Sequence, residues 1–331
     1  MTRNYADLQP CLGATLDDLD PALIEGYRQE LSRRRPGSPL LREPGRKLLA
    51  RLGVALEDEG PPRPTLTGML FFGREPQRLF PSLTITFLHF AGTSSTQAQP
   101  GTPLYLDNRE LVGTLPAMID ATRATILEKM SKQGVMDGFV RHDVLEYPEF
   151  AYREAIVNAV AHRDYELLGG SIHVRLFADR LEVQSPGGLG GNLTVENIAF
   201  EQYTRNPHVM RLLEDLGYVE RRGFGVDQMI QAMTEAGREP PLFENRGSSF
   251  WVTLKGKPPL RPLPDLGRLG LNDRQVRVAQ YLQTHGRVTN REYQDLFGVS
   301  ERTALYDLQG MVEAGLAIPI SSGRGRYYIL R

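Results

Sequence analysis

A proline-rich stretch near the C-terminus constrains the fold of this chain more than any other feature. Four of the seven residues from Pro258 to Pro264 are proline, which favours an extended spacer over a helix or strand. At 331 residues the chain is long enough for two or three domains. We therefore predict an N-terminal helical segment over 1–64, an α+β region over 65–256 with its core at 147–255, a linker over 257–270, and a last domain over 271–331.

Composition limits the class of protein. Hydrophobic residues make up 40% and charged residues 24%, which is typical of globular domains. No apolar run approaches the ~20 residues of a membrane span, so we expect a cytoplasmic protein with no membrane partner. The single cysteine, Cys11, excludes an intramolecular disulfide and agrees with a reducing compartment. The net charge is −1, so any contact with nucleic acid must be local.

Hydrophobic periodicity gives a coarse set of secondary-structure elements for residues 65–256. The predicted strands lie at 66–72, 83–90, 172–176, 181–183 and 249–254. The predicted helices lie at 108–130, 150–162, 207–216 and 226–236, and Pro116 is expected to kink or split the first of them.

The helix at 150–162 carries the most informative pattern. Glu154, Asn158 and His162 are four residues apart and share one face, while Ile156 and Val160 form a separate apolar stripe. An amide oxygen can coordinate Mg²⁺, and a carboxylate can orient a water near a terminal phosphate. We predict a magnesium–nucleotide site in which Asn158 binds the metal and Glu154 is the catalytic base.

A glycine-rich segment further along the chain suits phosphate binding. Gly223 and Gly225 allow the backbone to approach phosphates closely, and the helix predicted from 226 would offer unpaired N–H groups to an anion. Arg205 and Arg222 are nearby cations in the sequence. Pro207 favours the start of another helix.

These motifs resemble those of the GHKL ATPases, the gyrase, histidine-kinase and mismatch-repair type. They are most similar to the boxes of bacterial "RecG-like" or Schlafen-type regulators, in which the Glu-x-x-x-Asn box continues into His-Arg-Asp-Tyr, here 162–165. Ser185-Pro-Gly-Gly-Leu189 occupies the first glycine box, Thr204-Arg-Asn-Pro207 follows, and 220–226 occupies the second. The resemblance covers about 65–331 and implies a Bergerat-type α/β sandwich that binds ATP and Mg²⁺. The nucleotide-binding residues that it implies are Asn158, His162, Asp164, Ser185, Gly187, Gly188, Arg205, Asn206, Arg222, Gly223 and Gly225.

The chain departs from the family pattern at two positions of the first glycine box. Ser185 stands where the family has an aspartate that reads the adenine amino group, and Leu189 replaces the last glycine. Either adenine is read through Ser185 and a water, or another purine is preferred, and hydrolysis of ATP stays an open question. Members of the family usually begin with an AlbA-like domain, which we expect to be absent here.

The pattern at 271–331 predicts a winged helix-turn-helix. Thr289 and Ser300 are predicted N-caps, Gly298 supplies the left-handed turn between two helices, and Gly315 ends the last helix. Two short strands at 316–320 and 326–330 would form the wing. Residues 298–308 resemble the recognition segment of DeoR-type winged helices. The predicted DNA-binding residues are Ser300, Glu301, Arg302, Thr303 and Tyr306 on the helix, with Arg324 and Arg326 on the wing.

Together these features predict a transcriptional regulator that binds double-stranded DNA as a homodimer on paired half-sites, with its DNA binding controlled by a nucleotide. Two alternatives remain: a DNA-stimulated ATPase of DNA repair or phage defence, and a non-enzymatic scaffold with a degenerate nucleotide site. Winged helices also serve as dimerisation or protein-docking modules.

Overall fold

Two units make up the fold, and each has its own hydrophobic core. The computed structural model describes residues 5–56, 60–96, 103–137, 140–219, 225–256, 266, 269–285, 287–322 and 325–330. Residue contacts divide the chain into Met1–Lys257 and Pro258–Arg331. Both units mix helices and strands, so the fold is α+β, as predicted.

The first unit contains eight α-helices and ten strands within the described residues. The helices are α1 (Pro21–Arg34), α2 (Gly45–Leu52), α3 (Leu66–Phe72), α4 (Pro76–Leu79), α5 (Leu115–Lys129), α6 (Glu149–Ala161), α7 (Pro207–Leu216) and α8 (Gly225–Glu235). The strands are β1 (Ala55–Leu56), β2 (Arg63–Pro64), β3 (Ile85–Phe90), β4 (Tyr105–Leu111), β5 (Lys132–Asp137), β6 (Val140–Leu145), β7 (Ile172–Leu176), β8 (Arg180–Pro186), β9 (Leu242–Asn245) and β10 (Ser249–Lys255). Short 3-10 helices lie at Ala6–Leu8, Leu16–Asp18 and Pro39–Arg42.

A six-stranded mixed sheet forms the centre of this unit, in the order β4-β3-β7-β8-β10-β9. Strands β3 and β7 run parallel, and the other neighbours are antiparallel. Val174 pairs with Val183, and Val183 pairs with Val252, so one valine from each of three strands faces the same core. Helix α6 packs against β8 and β10, and its predicted apolar stripe, Ile156 and Val160, is fully buried.

The N-terminal segment shares the core of the sheet. Asp7 is fully buried and accepts hydrogen bonds from the backbone N–H groups of His208 (2.7 Å) and Val209 (3.2 Å) at the start of α7. The Tyr27 hydroxyl on α1 donates to Asp215 on α7 over 2.8 Å. These long-range bonds fix α7, which follows the loop that borders the site described below.

The prediction of a strand at 66–72 is wrong, because these residues form helix α3. The Thr65 hydroxyl accepts a hydrogen bond from Gly68 N–H (3.0 Å) and caps the helix, and all seven helical residues are buried. A helix buried on every side has no polar face, so its sequence shows the same continuous apolar run as a buried strand. Gly68 is needed because a Cβ atom there would lie 2.1 Å from the Val54 carbonyl oxygen.

The single helix predicted at 108–130 is also wrong in its first third. Residues 105–111 form strand β4, and the helix begins only at Leu115, after Gly113 with φ +113°. Thr114 caps this helix, and Pro116 lies in its first turn, where a missing N–H costs nothing. Pro116 therefore marks a helix start and does not kink α5.

The second unit contains α9 (Asp273–His285), β11 (Val288–Thr289), α10 (Asn290–Phe297), α11 (Glu301–Glu313), β12 (Ala317–Ser322) and β13 (Gly325–Leu330). The strands form an antiparallel sheet in the order β11-β13-β12. The predicted caps are confirmed: Thr289 and Glu292 form a reciprocal capping box, Gly298 has φ +63°, and Ser300 accepts from Thr303 N–H. In neither unit is a described helix both long and apolar enough to cross a membrane.

Candidate functional site

A large cleft opens in the first unit between α6, the loop that follows β8, the start of α8 and the strands β9 and β10. Its volume is about 1440 Å³ when the space at its open mouth is included. Eight of the predicted site residues line it: Glu154, Asn158, His162, Ser185, Gly187, Gly188, Arg205 and Gly225. Residues brought together from such distant parts of the chain make this cleft the candidate site.

Glu154 and Asn158 form a pair on the wall of the cleft. The Asn158 Nδ2 donates to Glu154 Oε1 over 3.1 Å, one helical turn away, and Glu154 is only 8% exposed. This bond turns the amide nitrogen of Asn158 toward the carboxylate and leaves its amide oxygen as the group that can meet a cation. A buried carboxylate beside such an amide suits the positioning of water near a bound phosphate.

Helix α8 begins directly against this pair. A Cβ atom on Gly225 would lie 1.8 Å from Glu154 Oε1, so only glycine allows this approach without moving the carboxylate. The first turn of α8 carries backbone N–H groups without helical partners, and it borders the cleft. Two further predicted ligands, Arg222 and Gly223, lie outside the described residues.

Arg205 connects the loop after β8 to the end of α6. Its guanidinium donates to the backbone oxygens of Gly188 (2.9 Å) and His162 (3.3 Å), and lies 3.8 Å from the Asp164 carboxylate. Gly187 has φ +94°, a conformation that glycine adopts without strain, and a Cβ atom there would meet Asp164 at 2.4 Å. The loop therefore follows α6 closely and carries a positive charge along the cleft.

His162 lies at the end of α6 as a neutral side chain at pH 7. Burial, reinforced by the positive charge of Arg205, lowers the pKa of His162 to about 4. An uncharged imidazole can donate or accept a hydrogen bond, but it adds no positive charge for a phosphate. At this end of the cleft, Arg205 supplies positive charge to the lining.

Ser185, at the end of β8, is nearly buried and donates its hydroxyl proton to the Ala159 carbonyl over 2.7 Å. Because the hydroxyl proton is donated to a carbonyl of α6, the hydroxyl oxygen can only accept a hydrogen bond from a group in the cleft. Ser185 therefore presents a hydrogen-bond acceptor on the wall of the cleft.

Two predicted ligands do not line the cleft. Asn206 is fully buried and donates to the backbone oxygens of Ala161 (2.9 Å) and Arg163 (2.8 Å), so it fixes the end of α6 against α7. Asp164 accepts from the backbone N–H of Glu166 (3.0 Å) and faces Arg205. Both residues support the loop that borders the cleft.

Several cleft residues were not found by sequence reasoning. Phe243 and Phe250 stack at 6.3 Å on the neighbouring strands β9 and β10, and both line the cleft. Tyr203 packs over Gly190 and Gly191, where a Cβ atom would lie 2.3 and 2.6 Å from its ring. An aromatic pair across two strands leaves no local signal, although the glycines at 187, 188, 190 and 191 mark a loop that needs close packing.

In the second unit the predicted DNA-binding residues cluster at the start of α11. Glu301 and Arg302 are exposed, and Tyr306 is 78% exposed, so all three can contact a partner. Ser300 and Thr303 share the N-cap, with 3.0 Å between their hydroxyl oxygens. Arg326 is exposed on β13, and Arg324 lies outside the described residues.

Comparison with known proteins agrees with the geometry of the first unit. Residues 169–254 match the family described as "Putative ATP-dependent DNA helicase recG C-terminal". The match supports a RecG-like, ATPase-type family. It covers the loop after β8 and the start of α8 but not α6, where Glu154 and Asn158 lie. Residues 1–86 match a domain of unknown function, DUF8451.

A solved structure extends the similarity to almost the whole chain. The DIP2311 protein from Corynebacterium diphtheriae is 25% identical, with a TM-score of 0.56, over 99% of this chain. The chain spans 64% of the length of that protein. Among curated proteins, none matches the sequence.

Proposed function

We propose that the first unit is a GHKL-type sandwich that binds ATP with Mg²⁺. The observation that carries this proposal is the pair of Glu154 and Asn158, in hydrogen-bond contact on the wall of the cleft and adjacent to the start of α8. The ATPase-like family match also supports it. That match begins at residue 169, so it covers the loop after β8 and the start of α8 but not the pair itself.

Each group in the cleft has a chemical role in this proposal. The amide oxygen of Asn158 would hold Mg²⁺, which supplies charge neutralisation of the phosphates. The N–H groups at the start of α8 and the Arg205 guanidinium would receive the phosphate oxygens. Phe243 and Phe250 offer an apolar surface for a base, and Ser185 offers an acceptor that suits the amino group of adenine.

Hydrolysis would depend on Glu154. A carboxylate that is largely buried and fixed by an amide can orient a water for attack on the terminal phosphate. The neutral His162 would contact the nucleotide through hydrogen bonds without adding charge.

We further propose that the second unit is a winged helix that binds double-stranded DNA, and that nucleotide occupancy of a homodimer controls this binding. Three helices followed by a hairpin, with the exposed side chains of Arg302 and Tyr306 at the start of α11, suit the major groove. The exposed Arg326 suits phosphate contacts. A transcriptional regulator in the cytoplasm is the function that joins both activities.

Two measurements test the proposal. Thermal unfolding with ATP, ADP or GTP, each with and without Mg²⁺, should show stabilisation, because a ligand at 100 times its Kd adds about 2.7 kcal/mol. Selection from random duplexes, with and without ATP, should enrich a sequence. No stabilisation by any nucleotide would leave a scaffold, and ATP turnover stimulated by DNA of any sequence would indicate a repair or defence ATPase.

A further inference from the structure

One segment of the first unit, well before the cleft residues in the sequence, is rich in positively charged side chains. Between Arg28 and Arg51 there are eight arginines and lysines and only two carboxylates, although the whole chain has a net charge of −1. From Arg28 to Glu59, a range that includes the three acidic residues 57–59, positive charges still exceed negative charges by three. Such local asymmetry in a neutral chain marks a surface that attracts an anionic partner.

Three arginines from different elements line one cavity. Arg35 follows α1, Arg51 lies on α2 and Arg211 lies on α7, and Ser38 lines the same cavity. Asp215 is the one carboxylate among the described lining residues, and it is 1% exposed. Since it already accepts hydrogen bonds from Arg35 and from the Tyr27 hydroxyl, it cannot compensate all three guanidinium groups.

The arrangement of these arginines is built into the fold. The Arg211 guanidinium donates to the Arg51 backbone oxygen over 3.1 Å, which joins α7 to the end of α2, and the Arg51 side chain pairs with Glu43. Arg28 donates to the backbone oxygens of Leu41 (3.1 Å) and Glu43 (3.3 Å), which joins α1 to the segment before α2. Asp215 offsets the charge of Arg35 and Glu43 that of Arg51, whereas the Arg211 guanidinium is held by a backbone oxygen and brings its positive charge to the cavity, where an anion can be attracted to it.

The positive charge continues outside the cavity. Arg42, Arg46 and Lys47 are exposed, and none of them makes an ion pair with another described residue. On α2, Leu48 and Leu52 are buried, so Lys47 and Arg51, four residues apart, share the outward face. Several exposed cations on one short segment, beyond those that line the cavity, suit a polymeric anion better than one small ion.

We propose that this basic surface, defined as Arg35, Arg42, Arg46, Lys47, Arg51 and Arg211, binds the phosphodiester backbone of duplex DNA. It is a second DNA-binding surface, in addition to the one proposed for α11, and it rests on the proposed function only in taking duplex DNA as the ligand. Phosphate contacts of this kind add affinity for every sequence and carry no base specificity.

The test uses the full chain and a fluorescent duplex of random sequence, titrated by anisotropy at several KCl concentrations. The double variant R46Q/K47Q should reduce the slope of log Kd against log[KCl] by about 0.9 for each phosphate that the protein no longer neutralises. R109Q/K255Q removes two positive charges from the same unit, on β4 and β10, and should keep the normal slope. Unchanged far-UV circular dichroism in both variants controls for folding.

The outcomes separate this surface from the DNA-binding role proposed for α11. An unchanged slope in R46Q/K47Q on the random duplex, with weakened binding of Arg302→Ala to a duplex selected for its sequence, overturns the basic surface and leaves the proposed function standing. A reduced slope in R46Q/K47Q on the random duplex, with normal binding of Arg302→Ala to the selected duplex, supports the surface and overturns the role of α11. Thermal stabilisation by inorganic phosphate that disappears in Arg211→Gln, together with an unchanged DNA slope, assigns the cavity to a small anion and overturns the proposal.

Discussion

Gly225 and Glu154 lie so close together that a Cβ atom on Gly225 would come within 1.8 Å of Glu154 Oε1. The contact joins the first residue of α8 to the middle of α6, and Asn158 donates a hydrogen bond to the same oxygen. The carboxylate therefore has little room to move. Its position depends on a residue 71 positions away that contributes no side chain.

Gly225→Ala should move the Glu154 carboxylate out of position without removing it. The added methyl group displaces the flexible end of Glu154, so the fold should survive while ATP hydrolysis falls by about 100-fold or more, the usual contribution of a positioned general base. Nucleotide affinity should change little, because the N–H groups of α8 remain. A phosphate-release assay and isothermal titration measure the two effects. Gly169→Ala is the matched control, since a Cβ atom at that glycine has open space around it, and equal activity in both variants would contradict the prediction.

Asn158→Ala and Glu154→Gln should separate nucleotide binding from hydrolysis. Asn158→Ala removes the amide oxygen proposed to hold Mg²⁺, so it should abolish the Mg²⁺-dependent part of nucleotide affinity in isothermal titration. Glu154→Gln keeps an acceptor for Asn158 but loses the base, so binding should persist without phosphate release. Wild-type affinity in Asn158→Ala would show that the pair is only structural.

Ser185→Ala should weaken discrimination between ATP and GTP. The Ser185 hydroxyl donates to the Ala159 carbonyl, so toward a base it acts as an acceptor, which matches the amino group of adenine and opposes the carbonyl of guanine. We expect the ratio of the two Kd values to fall by several-fold, as for the loss of one hydrogen bond of about 1 kcal/mol. Competition titration with both nucleotides measures it. A ratio that stays the same would show that the base is read elsewhere.

Local signals in the sequence were sufficient for the elements that carry the site. The sequence predicts α6 because its apolar stripe and its Glu154–Asn158 spacing are both helical, and it predicts α10 and α11 because Thr289, Gly298 and Ser300 mark their ends. Each of these signals lies within one or two turns of the element that it specifies. The pairing of Glu154 with Asn158 follows from the same helical spacing.

Long-range packing explains what the sequence did not reveal. Residues 66–72 form a helix because the surrounding core covers every side of it, and no pattern within seven residues records that. Phe243 meets Phe250 only after β9 and β10 pair, and Gly225 meets Glu154 only after α8 packs on α6. Asn206 lies in a motif that borders the site, and only the packing of α6 against α7 gives its side-chain amide two backbone partners.

Asp307 should control the stability of the second unit. This carboxylate is 1% exposed and accepts hydrogen bonds from Asn272, Arg274 and Tyr293. Asp307→Asn places two amide hydrogens among donors and should destabilise α9 to α11 by about 1–3 kcal/mol, seen as faster hydrogen exchange in the full chain. Asp295→Asn, an exposed carboxylate on α10, is the charge-matched control and should exchange normally.

The stability of the second unit should also depend on pH because of Asp307. Burial alone would raise the pKa of Asp307, but the hydrogen bonds from Arg274, Asn272 and Tyr293 outweigh it and hold the pKa below the usual 3.8. Because the folded pKa is depressed, the stabilisation is complete above the unfolded pKa and is lost as pH falls below it. Protection from hydrogen exchange in α9 to α11, measured relative to the intrinsic exchange rate at each pH, should fall as the pH falls below 3.8 in the unmodified chain. An equally strong loss of protection in Asp307→Asn would assign the effect to other groups.

Arg302 and Arg326 should make different contributions to DNA binding if α11 lies in the major groove. Arg302 is exposed in the first turn of α11, where a bidentate contact to guanine discriminates between bases by about 1–3 kcal/mol. Arg302→Ala should therefore weaken binding to the selected sequence and leave random duplexes almost unaffected. Arg326 is exposed on β13, and its replacement by alanine should weaken all duplexes equally and reduce the salt slope by about 0.9, because phosphates are the same in every sequence. Anisotropy titrations of both variants against both duplexes distinguish these cases, and identical behaviour of the two variants would mean that α11 does not read bases.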